Sequence, residues 1–137
     1  MQAENNFKYE VVMLIDDNEI DVFINENIIK GCGFAENVFK NTSTKSAIEF
    51  LKNISMNRLF DSRYIPTYIF LDINMPMLDG FQFIEEFEKL DDKISSSCKI
   101  VMLSSSVSPE DEKRARASKC VVEYVYKPLT EKILKKL

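Results

Sequence analysis

The 137 residues include no histidine, which removes imidazole as acid, base or ligand and with it most zinc and iron sites. Cysteine is sparse. Cys32, Cys98 and Cys120 are widely spaced, odd in number and form no C-x-x-C pair, so they read as buried or reduced thiols rather than disulfides or a metal site. No apolar run approaches the roughly 20 residues of a membrane span, and the polar start Met1 to Asn6 does not resemble a signal peptide. A cytoplasmic protein without a membrane role is expected. Lys and Arg form no long run and the net charge is −4, which disfavours nucleic acid as a partner. Neither G-x-x-x-x-G-K nor G-x-G-x-x-G occurs, so the glycine-rich loops that cradle nucleotides are missing.

What is present suits a folded chain. Hydrophobic residues make up 45% and charged residues 29%, enough to bury a core, and the length matches one domain with no room for a second. Residues 1–137 are expected to form that domain, with the core starting at about Tyr9 and residues 1–8 as a tail.

The apolar signal alternates between two periods. Val11 to Ile15 is a short continuous run, as in a strand buried on both faces of a parallel sheet. From Glu19 to about Lys30, Ile20, Phe23, Ile24, Asn27 and Ile28 recur at helical spacing, and Gly31 and Gly33 supply a stop. Val38-Phe39 marks a short second strand, and Ser43 or Thr44 caps a helix carrying Ala47, Ile48, Leu51 and Ile54 on one stripe. Met56 to Pro66 reads as a loop and Tyr68 to Leu71 as the third strand. After the Asp79-Gly80 turn signal, Phe81, Ile84, Phe87 and Leu90 mark a third helix, followed by a polar connection from Asp91 to Ser97. Ile100 to Leu103 is the fourth strand. Ser108-Pro109 opens a highly charged helix reaching about Ser118. Tyr124 to Tyr126 is the fifth strand, and Thr130 caps a last helix. Five strands alternating with five helices predict a doubly wound α/β fold, whose ligand site lies beyond the carboxyl ends of the strands.

At those ends stand Asp16 and Asp17, Asp72, Ser104 and Lys127. Each has a bland reading alone. The Asp16-Asp17 pair could cap a helix, Ser104 could belong to a polar loop, Lys127 could sit on the surface, and Tyr124 could simply pack. Four strands delivering acids, a hydroxyl and a cation to one edge argue otherwise. Carboxylates about 4 Å apart repel by roughly 4 kcal/mol per pair at an effective dielectric of ~20, so the cluster calls for a counter-charge. Oxygen-only ligands suit Mg²⁺. With the cluster neutralised, one carboxylate can act as nucleophile toward a phosphoryl group, while a hydroxyl and a lysine hold the remaining oxygens.

The segments LIDDNE, FLDINMPMLDG, VMLSSS and YVYKPL together resemble the response-regulator receiver domains of two-component signalling, in particular the stand-alone, chemotaxis-regulator-like ones. The resemblance runs from about Tyr9 onward. It implies a flavodoxin-like sheet of strand order 2-1-3-4-5 and a phosphorelay protein that takes an aspartyl phosphate on Asp72 from a histidine kinase or histidine phosphotransfer protein. It also implies Asp17 as a direct Mg²⁺ ligand, Asp16 acting largely through water, and the Asn74 carbonyl as a further ligand beside Asp72. Ser104 resembles the family's switch hydroxyl and Lys127 its phosphate-pairing lysine, bound to Asp72 beforehand. Tyr124 holds the aromatic switch position, and Pro128 follows a cis peptide bond. Asn74 and Ser106 flank the phosphoryl approach. Such a protein is not an enzyme beyond promoting its own phosphorylation and dephosphorylation. It regulates a downstream protein, as a monomer or as a phosphorylation-driven dimer. The rival is a haloacid-dehalogenase-type phosphohydrolase, which wants an aspartate two residues after the nucleophile, where Asn74 stands.

Overall fold

The structure, a computed structural model, describes residues 6–56, 62–73, 80–105 and 108–137. Strands β1 (Tyr9–Ile15), β2 (Ala35–Asn41), β3 (Tyr68–Asp72), β4 (Lys99–Ser104) and β5 (Val121–Tyr126) form one parallel sheet ordered β2-β1-β3-β4-β5. Helices α1 (Glu19–Gly31), α2 (Thr44–Met56), α3 (Gly80–Glu88), α4 (Asp92–Ser95), α5 (Pro109–Arg116) and α6 (Glu131–Leu134) connect or follow the strands.

Side chains alternate across a strand, so each strand feeds two layers. Met13, Ile15, Ile69, Leu71, Ile100, Met102 and Tyr124 pack with Leu51 of α2, Phe83 and Phe87 of α3, and Ala115 of α5. Val12, Leu14, Phe70, Val101, Leu103 and Val125 pack instead with Ile29 of α1, Leu134 of α6, and Leu129 just before that helix. The fully buried Phe83 and Phe87 each contribute about 1.5–3 kcal/mol of transfer free energy. In register, Ile15 lies opposite Leu71, Leu71 opposite Met102, and Met102 opposite Tyr124. The carboxyl ends of four strands are therefore level. One irregularity interrupts the pairing: Ile100 faces Val121 and Val101 faces Glu123, so Val122 is a bulge in β5.

Several elements depart from expectation. The α1 stripe of Ile20, Phe23 and Ile24 is exposed; Asn25 and Ile29 face the core instead. Apolar residues lie almost all round this helix, so their period could not select a face. The polar connection after α3 contains α4, one turn capped by the Asp91 side chain, which accepts from Lys93 N at 3.0 Å. That makes six helices among the described residues where five were expected. Leu90 falls beyond α3. Strand β2 extends well past Val38-Phe39, because its outer position lets the exposed Glu36, Asn37 and Lys40 stand among the buried Ala35 and Val38. Before β3, a 3₁₀ turn occupies Ser62–Tyr64 within the expected loop.

Candidate functional site

Asp16 follows β1 and Asp72 ends β3, on adjacent strands and at the same level, since Ile15 pairs with Leu71. Asp72 shares the strand parity of Tyr68 and Phe70, which face the α1 and α6 layer. Asp16 and Asp72 are buried and Asp17 is exposed, yet carboxylate oxygens of all three lie within 4.8 Å of one another. The bland reading of Asp16-Asp17 as a helix cap fails on geometry. Asn18 is the cap of α1, its Oδ1 accepting from Ile20 N at 2.9 Å and Asp21 N at 3.0 Å. Asp16 Oδ1 instead accepts from Asn18 N at 2.9 Å, which ties the carboxylate to the turn that starts the helix.

Lys127 brings the opposing charge. Its backbone N–H donates to the Ser104 carbonyl at 2.7 Å, and the Lys127–Pro128 peptide bond is cis, as the resemblance implies. Its ammonium lies 3.2 Å from Asp16 Oδ2, 3.5 Å from Asp72 Oδ1 and 3.0 Å from Asp21 Oδ2. Burial works to lower the lysine's pKa. The hydrogen bond to Asp21 and the charges of Asp72 and Asp16 outweigh it and hold the ammonium above its ordinary value. Asp16 moves upward as well. Burial and the Asp72 charge disfavour its ionised form more than the Asn18 amide and Lys127 favour it.

Ser104 is buried at the end of β4, on the opposite parity from Asp72, in the layer that holds Met102 and Tyr124. The Tyr124 hydroxyl is buried with no hydrogen-bond partner among the described residues. Its ring meets that of Tyr126 edge-on at 5.6 Å, and Tyr126 Oη donates to Glu112 at 3.0 Å. Gly80, expected only as turn chemistry, has a packing duty. A Cβ there would lie 3.1 Å from Ile73 Cα and 3.3 Å from the Asp72 carbonyl oxygen, so the start of α3 presses directly on the acceptor strand. Asn74, Asp79 and Ser106 lie outside the described residues.

The chain matches the family model for the response regulator receiver domain over residues 12–137. It belongs to that family. A two-component response regulator from Cytophaga hutchinsonii is 34% identical with TM-score 0.83, covering 94% of this chain and 93% of that one. The "Probable methanogenesis regulatory protein FilR2" of Methanothrix harundinacea is 25% identical over 99% of this chain and 81% of its own length. The "Sensor histidine kinase CheAY" of Helicobacter pylori is 27% identical over 97% of this chain, which corresponds to only 15% of that protein.

Receiver domains are signalling modules of two-component systems and generally not enzymes. In this receiver the donor set of Asp16, Asp17 and Asp72 is oxygen-only and anionic, which fits the hard Mg²⁺ ion typical of the family's acidic pocket. Sequence reasoning missed one residue at the site, Asp21. As a first-turn acid it looks like an ordinary response to the helix dipole, and its partner Lys127 lies 106 positions away. Among the described residues no helix is long and apolar enough to cross a membrane.

Proposed function

We propose that this receiver, acting as a single domain, accepts a phosphoryl group on Asp72 and passes the charge change to a partner protein. The observation that carries the reading is the triple of carboxylates within 4.8 Å met by the Lys127 ammonium 3.5 Å from Asp72 Oδ1. Asp16, Asp17, Asp72 and the Asn74 carbonyl would hold Mg²⁺, which when bound neutralises the acids and the incoming phosphoryl oxygens. Asp72 forms the new oxygen–phosphorus bond as the donor's nitrogen–phosphorus bond breaks, and the donor imidazole leaves and takes up a proton. These 137 residues lack histidine, so the donor is a histidine kinase or histidine phosphotransfer protein. The exposed Ile20, Phe23 and Ile24 of α1 start three residues from Asp17 and offer that donor an apolar surface beside the acceptor.

Lys127 is already poised to pair with phosphoryl oxygens, and Ser104 gains a charge-assisted hydrogen bond only once they are present. Contacts made in one state alone are what shift a two-state equilibrium. Ser104 and Tyr124 share a layer, which favours the tyrosine as the next element to respond. Acetyl phosphate with Mg²⁺, read by intact mass, tests the acceptor. The parent should gain one base-labile phosphoryl group, acetate being the leaving group, and Asp72→Asn should gain none. Stoichiometric labelling of Asp72→Asn would overturn the assignment.

A further inference from the structure

Lys127 has a partner that acceptance of a phosphoryl group does not require. Its nearest carboxylate is Asp21 at 3.0 Å, closer than Asp16 at 3.2 Å or Asp72 at 3.5 Å. Asp21 is not one of the three clustered acids. A helix dipole favours an acid in the first turn of α1, but that preference needs no contact with a lysine beyond β5. The contact arises because Lys127 shares the sheet layer of Val125 with α1.

An ammonium has three N–H donors, and three carboxylates already surround this one. Two of the contacts, to Asp16 and Asp21, are hydrogen bonds, and a phosphoryl oxygen on Asp72 draws the ammonium toward β3 and so weakens one of them. Asp21 is the most exposed of the three, its side chain 36% accessible against 0% for Asp16 and 6% for Asp72, so water replaces its lost contact at least cost.

We propose that Asp21 is a positioning residue that draws the Lys127 ammonium toward α1 and competes for it with a phosphoryl group on Asp72, limiting how tightly the site holds that group. The inference rests on the phosphoacceptor reading. It implies that residue 21 tunes the persistence of the phosphorylated state without touching the phosphoryl group.

The test is binding of the phosphoryl mimic beryllofluoride at saturating Mg²⁺, followed by the amide chemical shifts of Asp17 and Asp72 beside the acid cluster, which report binding whether or not the signal reaches Tyr124. Asp21→Asn should bind the mimic on the order of threefold to fivefold tighter, the scale of a partly exposed ion pair. Asp21→Glu should bind as the parent does. In a Lys127→Ala background, Asp21→Asn should change nothing, which separates competition for the lysine from a general loss of negative charge. Equal or weaker binding by Asp21→Asn overturns the proposal, as does the same gain without Lys127. A parent that fails to bind the mimic at all overturns the phosphoacceptor reading and this inference with it.

Discussion

Replacing Asp16 by asparagine should stabilise the protein at neutral pH without divalent cations. The Asp16 side chain is buried, with its oxygens within 4.8 Å of those of Asp17 and Asp72 and 3.2 Å from Lys127. At an effective dielectric of ~20, each like-charge pair at that limit costs about 3.5 kcal/mol and the lysine returns about 5 kcal/mol. The two repulsions thus outweigh the attraction by about 2 kcal/mol before the exposure of Asp17 screens its share, and desolvation adds to the deficit. A net gain of about 1–2 kcal/mol corresponds to a melting temperature higher by about 3–8 °C. Because the folded pKa of Asp16 is raised above its ordinary 3.8, its protonated form favours the fold. That contribution is fully present below the unfolded value and lost as pH rises through the folded one. Paired thermal melts in a chelator should therefore coincide near pH 3, separate as Asp16 ionises and stay apart to about pH 8. Millimolar Mg²⁺ should narrow the gap by binding the folded parent. An Asp16→Asn protein that melts at or below the parent at neutral pH, or a gap equally wide at acid pH, refutes the reasoning.

Asp17→Ala should lose most of the Mg²⁺ affinity expected in the millimolar range, about −4 kcal/mol; a parent-like titration would demote Asp17 to a bystander. Ser104→Ala and Lys127→Ala should still be labelled by acetyl phosphate, more slowly, while losing the beryllofluoride-induced amide shifts of Ser108 and Tyr124. Parent-like shifts in both would send the signal by another route. Gly80→Ala should cost about 1–3 kcal/mol in denaturant melts, since two of the three atoms its Cβ meets most closely, Ile73 Cα and the Asp72 carbonyl oxygen, are backbone, and only the third, Met102 Cε, can swing away. It should also slow labelling of Asp72, and an unchanged midpoint would show that α3 yields there.

The strand ends were legible because each polar residue breaks an apolar run, and a two-faced buried strand has no other reason to stop at Asp16 or Asp72. The α2 stripe was equally clear, since Ala47, Ile48, Leu51 and Ile54 are all buried. Helix α1 was located but turned the wrong way. Its apolar surplus lies outward at Ile20 and Phe23, and a buried polar residue, Asn25, occupies the inner face. One-turn α4 is too short for a period to show, and only Asp91 hints at it. Asp21 was out of reach for a different reason. Its role depends on a lysine brought over by the sheet order, and pairing at that distance in sequence leaves no local trace.

The bulge in β5 has a wider reach than its size suggests. Val122 has no counterpart on β4, and one added residue inverts the phase of every later side chain on the strand. Were Val122 paired with Val101 in regular register, Leu103 would stand opposite Tyr124, and Ser104 opposite Val125. The tyrosine would then turn toward α1 and α6, and the lysine would leave Asp16, Asp21 and Asp72 for the other side of the sheet. Leaving an exposed valine unpaired five positions upstream thus keeps the lysine on the side of the sheet where the acids stand. Deleting Val122 would leave Glu123 opposite Val101 and Tyr124 opposite Met102, so the site tolerates loss of the bulge itself, whereas one further residue inserted between Glu123 and Lys127 would carry the lysine to the wrong face.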